Sequence, residues 1–355
     1  TAHGRQMAEL PLHPRLAHML LKAVLLQLGT LACELAALLS ERDILRGPSG
    51  WRHADLRLRL DILHGQHDHT AGATVDRAAC QRVARVADIW KRQLPQSARS
   101  DHQHNPDEIG FLLALAYPDR IAQRQGGQGG MAARYLMANG RGALFANPDP
   151  LGSEDYLVIA DLDGGAQWAR IDLAAPVQLR DLETLYADQI QVVDEVSWDD
   201  TTQMVRATRQ RRFGSLILSE QGLSKPDPSM ISAALLQGIR RAGLDRLAWT
   251  PELRQWRARV AFLRRIEGQE LRWPDLSGEA LLRTLDDWLA PYLSGLTTLD
   301  RVTKLDLTQP LHALLSWEQS RQLERLAPTH LTVPSGSNVR VEYETPDLPI
   351  LAVRL

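Results

Sequence analysis

Lysine is almost missing from this sequence. It occurs only at Lys22, Lys91, Lys225 and Lys304, and none of the four follows a glycine. A phosphate-cradling P-loop needs a Gly-Lys-Ser/Thr step, so the chain contains none. Cysteine is scarce as well. Cys33 and Cys80 lie far apart, each in a helical pattern, which argues against a disulfide framework and for a reducing compartment. No apolar run reaches the roughly 18 residues of a membrane-spanning helix. The longest cluster, Met19 to Leu39, is broken by Lys22, Gln27, Thr30 and Glu34, and no signal peptide opens the chain. Neither charge sign dominates: 41 Lys+Arg stand against 43 Asp+Glu, a net charge of −2, so a nucleic-acid surface has to be local. GxSxG, HExxH and CxxC motifs are all missing, and the PSGS of Pro334 to Ser337 sits in an ordinary turn. No catalytic constellation and no cofactor site is read in this span.

What is present fits several domains. The 355 residues, 44% of them hydrophobic, suffice for two to four cores. With 4 of the 41 basic residues lysine, 37 are arginine. Arginine is the better bidentate phosphate ligand, although a GC-rich genome gives the same bias.

The stretch Ala116 to Pro150 divides a helical first part from a β-rich one. Met7 to Pro11 reads as the end of a short β wing. Helices are expected from Pro14, over Leu31 to Leu39, over Asp55 to Leu63, over Val75 to Leu94 and over Ile109 to Ala116. Asp119 to Arg124 reads as one turn with Arg120 and Arg124 on the same face. Gly126, Gly127, Gly129 and Gly130 predict a mobile loop. Tyr135 to Met137 and Ala143 to Phe145 then read as strands joined at Asn139-Gly140, flanked by Arg134 and Arg141. Further strands are expected at Leu157 to Asp161, Gln167 to Leu173, Ile190 to Trp198, Gln203 to Thr208 and Phe213 to Leu218, with one helix at Leu179 to Asp188. Strands, one helix and strands again is the order of a five-stranded OB-type barrel; a plain antiparallel sheet competes with it. Arg206, Arg209, Arg211 and Arg212 form the densest basic run, with the last three entering a solvent-facing turn before Phe213. Beyond Pro226 helices return, over Ile231 to Ala242, Pro251 to Ile266, Gly278 to Leu293 and Gln309 to Leu315, and the chain closes in β structure from His330 to Leu355.

His64, His67 and His69 lie in HGQHDH, and His102 and His104 in a second polar loop. Their spacing matches no zinc pattern, and both read as solvated loops without metal.

Several segments carry a family resemblance. HGRQMAELPLHPRLAHML resembles the end of the winged-helix domain of DEAH/DExH-box RNA helicases. AALLSERD resembles the start of their helical ratchet domain, and AYPDRIAQRQ with RYLMANGRGALF their entry into an OB-fold. WPDLSGEALLRTLDDWLAPYLSG and RLAPTHLTVPSGS resemble the C-terminal region of the bacterial HrpB helicases. The resemblance covers essentially the whole chain and implies the part that follows two RecA-like motor domains. With Thr1 in place of Met and Leu355 inside an apparent strand, the chain reads as a fragment of a longer protein.

The expected architecture is therefore α+β and multidomain. A winged-helix remnant occupies 1–28, a ratchet-like helical bundle 29–116, an OB-fold-like barrel 117–225 and an α+β C-terminal domain 226–355. The resemblance implies an accessory region that guides single-stranded RNA in the bacterial cytoplasm. ATP and magnesium would bind the upstream motor domains, and no membrane is involved. Candidate RNA contacts are Arg120, Arg124, Arg134, Arg141, Arg206, Arg209, Arg211 and Arg212, with Tyr135 and Phe145 as candidate stacking rings. The rival reading is a protein-interaction scaffold whose helical C-terminal region docks a partner. A third is a metal-dependent hydrolase built on the histidine loops.

Overall fold

The structure, a computed structural model, describes residues 1–48, 53–66, 72–98, 105–126, 133–164, 168–267, 273–334, 336–344 and 348–353. The chain forms two compact units. The first takes residues 1–193 and 210–220, the second 194–209 and 221–355.

The first unit opens with a correction. Met7 to Pro11 is no β wing: helix α1 spans Ala2–Ala8, capped by the Thr1 hydroxyl on the Gly4 amide at 3.1 Å. Arg5, Gln6, Met7 and Ala8 are good helix formers, and Pro11 blocks any continuation. Helices α2 (Pro14–Leu25), α3 (Gly29–Ser40), α4 (Leu56–Leu63), α5 (Arg77–Gln93) and α6 (Pro106–Ala116) follow. Strands β1 (Leu45–Arg46) and β2 (Thr74–Val75) pair before α5. Val75 thus stays extended, and Asp76 starts α5 by accepting from the Ala79 amide at 3.0 Å. Asn105, Pro106 and Glu108 form a capping box at α6.

Helix α3 is the centre of this bundle, with Leu31 to Leu38 all buried. The run includes Glu34, which bonds Lys91 of α5 at 2.7 Å and His64 beyond α4 at 3.0 Å. A buried carboxylate needs such partners, and these two tie three helices together. The Cys33 thiol beside it is buried, and burial pushes its pKa up to about 12.

Pro118 starts a single 3-10 turn to Arg120, and the chain then enters strand β3 (Ile121–Gln125). Arg120 and Arg124 therefore do not share a helical face as expected. Pairing of Ile121 with Val158 and of Ala122 with Met137 overrides the local turn signal. Strands β4 (Arg134–Met137), β5 (Gly142–Leu144), β6 (Tyr156–Leu162) and β7 (Trp168–Pro176) complete a closed five-stranded barrel in the order β3-β4-β5-β7-β6. All contacts are antiparallel except β5 with β7, which is parallel. Tyr135, Met137, Phe145, Leu157, Ile159 and Ile171 fill the interior. Helix α6 lies so close to the end of β7 that a Cβ on Gly110 would sit 1.8 Å from the Pro176 carbonyl oxygen, so only glycine fits there.

The barrel is complete before helix α7 (Leu179–Leu185). The expectation that later strands close it is corrected. Strands β8 (Gln191–Asp199), β9 (Met204–Phe213) and β10 (Leu216–Gly222) form a separate sheet, β10-β9-β8. The chain leaves the first unit within β8, returns within β9 and leaves again within β10.

In the second unit, α8 (Pro228–Ala242) and α9 (Pro251–Glu267) match the expected helices. The single helix expected over Gly278 to Leu293 is broken. It consists of α10 (Gly278–Arg283), α11 (Leu285–Trp288) and a 3-10 turn. Thr284 turns its hydroxyl back onto the Ala280 carbonyl at 3.0 Å, and Pro291 prevents helical recovery. Helices α12 (Leu299–Val302), α13 (Thr308–His312) and α14 (Trp317–Leu326) precede a small sheet of β11 (His330–Thr332), β12 (Asn338–Glu342) and β13 (Ile350–Leu351). Trp256, Trp273 and Trp288 are core residues here. Among the described residues no helix is long and apolar enough to cross a membrane.

Candidate nucleic-acid interface

Alternation along the barrel strands sets which side chains face outward. Tyr135, Ala143 and Ala169 point in and are fully or almost fully buried. Their neighbours Arg134, Gly142, Leu144, Trp168 and Arg170 therefore lie on the outer face of β4, β5 and β7. Register places Gly142 beside Trp168 and Leu144 beside both Arg134 and Arg170.

On this face Trp168 lies flat over Gly142. A Cβ there would meet the indole ring at 2.5 Å, so glycine at 142 is what admits the ring. The Arg134 guanidinium stacks on the same indole, 5.3 Å from its centroid, and no carboxylate pairs with Arg134 among the described residues. Trp168 remains 37% exposed. An exposed indole with an adjoining unneutralised guanidinium offers what a nucleotide needs, a stacking plane beside a phosphate contact. Arg170, on the same face, is engaged by Asp172 at 2.9 Å and Asp163 at 3.7 Å.

The expected stacking rings are corrected. Tyr135 and Phe145 are 0% and 3% exposed and pack edge-to-face inside the barrel at 5.9 Å. The Tyr135 hydroxyl lies within bonding distance of the Leu151 and Glu154 carbonyls, 2.8 and 2.9 Å away, and burial raises its pKa. Sequence reasoning misses Trp168, because only the parallel β5–β7 pairing brings it against Gly142 and Arg134.

The remaining candidate arginines differ in availability. Arg120 stacks on Tyr117 at 5.2 Å and donates to the Ala160 carbonyl at 2.9 Å. Arg124, exposed, reaches the Ser153 carbonyl at 3.4 Å. Arg141 follows the Asn139-Gly140 turn, its amide bonded to the Asn139 side chain at 2.9 Å. Arg206 is exposed in β9 and draws down the pKa of Asp199, whose main cause is a bond from the Thr201 amide. Arg209 makes a two-pronged pair with Asp194 at 2.7 and 2.9 Å, which holds that carboxyl below the usual range. Arg211 pairs with Glu183, and Arg212 donates to the Gln210 side chain at 2.7 Å. The expected turn at Arg211 and Arg212 is also corrected: β9 continues to Phe213, and both are half-buried strand residues. Arg206 and Arg209 belong to the second unit, the other six to the first. Neither unit carries the whole set.

A polar cleft of about 800 Å³ in the first unit gathers Arg15, Arg59, Arg120 and Arg170. Three of these four are already paired with carboxylates. Arg15 bonds Asp119, Arg59 bonds Asp43 at 2.8 Å and Arg170 bonds Asp172. Such a lining is a weak anion site beside the Arg134–Trp168 stack. Of the histidine loops, His64 is held by Glu34, while His67, His69, His102 and His104 lie outside the described residues. No cluster of three possible metal ligands occurs among the described residues.

Comparison with known proteins adds identity to this geometry. A family model described as "ATP-dependent RNA helicase HrpB, connector region" matches residues 189–223, the segment in which the chain passes between its two units. A second, "ATP-dependent helicase C-terminal", matches residues 288–355. Two segments of the chain thus match the connector and C-terminal regions of HrpB-type helicases. The ATP-dependent RNA helicase HrpB of Escherichia coli K12 is 33% identical over 357 residues, covering 100% of this chain and 40% of that protein. The crystal structure of the E. coli DExH-box NTPase HrpB is 32% identical, covers 100% of this chain and 40% of its own, and gives a TM-score of 0.46. That of the E. coli DEAH/RHA helicase HrpB gives 30%, 100%, 41% and 0.47. The chain thus spans about two fifths of the HrpB proteins it matches.

Proposed function

We propose that this chain is the accessory, RNA-holding region of an ATP-dependent RNA helicase. Single-stranded RNA crosses the outer face of β4, β5 and β7, with a base on Trp168 and phosphates at Arg134 and the nearby arginines. The observation that carries this reading is the exposed Trp168–Arg134 stack over Gly142.

Topology supports it. The first barrel strand pairs with the second and fourth, and the third runs parallel to the fifth. We take this as an OB-type barrel, a fold whose second and third strands bind oligonucleotides; here those are β4 and β5. The E. coli relative is named as an ATP-dependent RNA helicase. In this reading ATP and magnesium belong to RecA-like motor domains upstream of the present residues, which are the partners of this region. The residues described here form no P-loop, and their part is to bind and orient the strand. The bacterial cytoplasm is the proposed location. The winged-helix and ratchet assignments of the first helices stay part of the same proposal.

The test is fluorescence anisotropy with labelled single-stranded RNA at several salt concentrations. Trp168→Ala should weaken binding about tenfold, from a lost stack worth roughly 1–3 kcal/mol. Arg134→Glu should lower the slope of log affinity against log salt by about 0.7 for the phosphate contact removed. Binding that ignores salt, or affinity unchanged in both variants, would favour the scaffold reading.

A further inference from the structure

Helix α14 presents a second stacked pair of the same kind, in the region matched by the C-terminal family model. Trp317 is 77% exposed, a large indole left in water at the first turn of the helix. Arg321, one turn on, places its guanidinium 5.7 Å from the ring centroid. Arg325 follows another turn later, exposed, and roughly 12 Å separates it from Trp317 along the axis at 1.5 Å per residue. No carboxylate pairs with Arg321 or Arg325 among the described residues. The acids of this helix are engaged elsewhere. Glu324 pairs with Arg259 at 2.9 Å, and Glu318 accepts from Gln322 at 3.5 Å. Leu323 faces the opposite way, into the core, so the exposed side holds one indole among polar groups and not an apolar patch. A protein-docking face would have apolar neighbours around its aromatic anchor. An isolated indole with two unneutralised guanidiniums suits a base with flanking phosphates.

We infer that the exposed side of α14 is a second single-stranded nucleic-acid contact, where a base stacks on Trp317 and phosphates meet Arg321 and Arg325. The inference takes its ligand class from the proposed function but uses none of the barrel residues. Trp317 and both arginines are exposed, so their replacement leaves the core of the second unit intact.

The experiment uses the whole 355-residue chain and a fluorescein-labelled single-stranded oligouridine, titrated at several salt concentrations. Trp317→Ala should weaken binding about tenfold with an unchanged salt slope. The double change Arg321→Ala with Arg325→Ala should flatten that slope by about 1.4, two contacts at 0.7 each. Circular dichroism should show no change of fold in either. Affinity and slope equal to the parent in both variants, while Trp168→Ala still weakens binding, overturns this inference alone and leaves the α14 face to a protein partner. A parent chain that binds no RNA at any salt overturns both readings.

Discussion

Tyr135→Ala should unfold the barrel instead of merely loosening RNA. The ring is fully buried, meets Phe145 edge-to-face, and its hydroxyl closes on the Leu151 and Glu154 carbonyls. Removing a buried aromatic ring costs about 3–5 kcal/mol, since the barrel walls cannot collapse into the space. That is a large share of a typical domain stability of about 5–15 kcal/mol. Tyr135→Phe keeps the ring but removes the one hydroxyl hydrogen within reach of the Leu151 and Glu154 carbonyls, a loss of about 1–3 kcal/mol. Trp168→Ala, at a partly exposed site, should cost less than either. Urea unfolding followed by circular dichroism ranks the three. A Tyr135→Ala chain with the parent's midpoint and no RNA affinity would make Tyr135 a stacking ring and refute its place in the core.

Arg259→Met should destabilise the second unit by about 3 kcal/mol, on the scale of two or more bonds to a charged donor. Arg259 is 3% exposed. It donates to the Ala327 carbonyl at 2.6 Å and the Leu323 carbonyl at 3.3 Å, and pairs with Glu324 at 2.9 Å. It thereby closes the C-terminal end of α14 onto α9, serving the Ala327 carbonyl just past the helix and sharing the Leu323 carbonyl with the Ala327 amide. Glu324 is largely hydrated, so the cost comes chiefly from the Ala327 carbonyl, left without its donor, and not from a stranded charge. Lysine carries one point-like head and cannot span the three acceptors, so Arg259→Lys should fall well short of restoring the parent. Six of the nine tryptophans, Trp198, Trp249, Trp256, Trp273, Trp288 and Trp317, belong to the second unit. Tryptophan fluorescence during urea unfolding therefore reports this loss. A midpoint shift near zero would show that the buried guanidinium is dispensable.

Helices α2 to α6 of the first unit are legible because their signals are local, whereas α1 is not. Val83, Ala87 and Trp90 repeat at the helical period in α5, and Asn105-Pro106 with Glu108 marks the start of α6. The β4–β5 hairpin is legible from Asn139-Gly140, where Gly140 takes φ +85°. What escapes the sequence is non-local. Whether a strand near Gln167 returns antiparallel to its neighbour or runs parallel to β5 is not written in its alternation, so closure of the barrel before α7 and the placing of Trp168 are invisible. The same holds for charge pairing: Arg209 and Asp194 are fifteen residues apart on paired strands, and a dense arginine run looks free until its carboxylates are located. Ser316 and Gln319 do carry a capping-box signal for α14, but the helix they start is short and buries only Leu323, so its apolar periodicity is weak. As candidate RNA contacts the eight arginines are legible as residue types, whereas their freedom to meet phosphate depends on the fold.

The central claim is that RNA lies on the outer face of β4, β5 and β7. Photocrosslinking tests it most directly. A single-stranded RNA carrying 4-thiouridine is irradiated with the whole chain, and the crosslinked peptides are identified by mass spectrometry. Crosslinks are expected in the peptides that contain Trp168 and Arg134, and they should be lost when excess unlabelled single-stranded RNA is added. Crosslinks confined to peptides of β9, around Arg206 to Arg212, with none on β4 or β7, would contradict it.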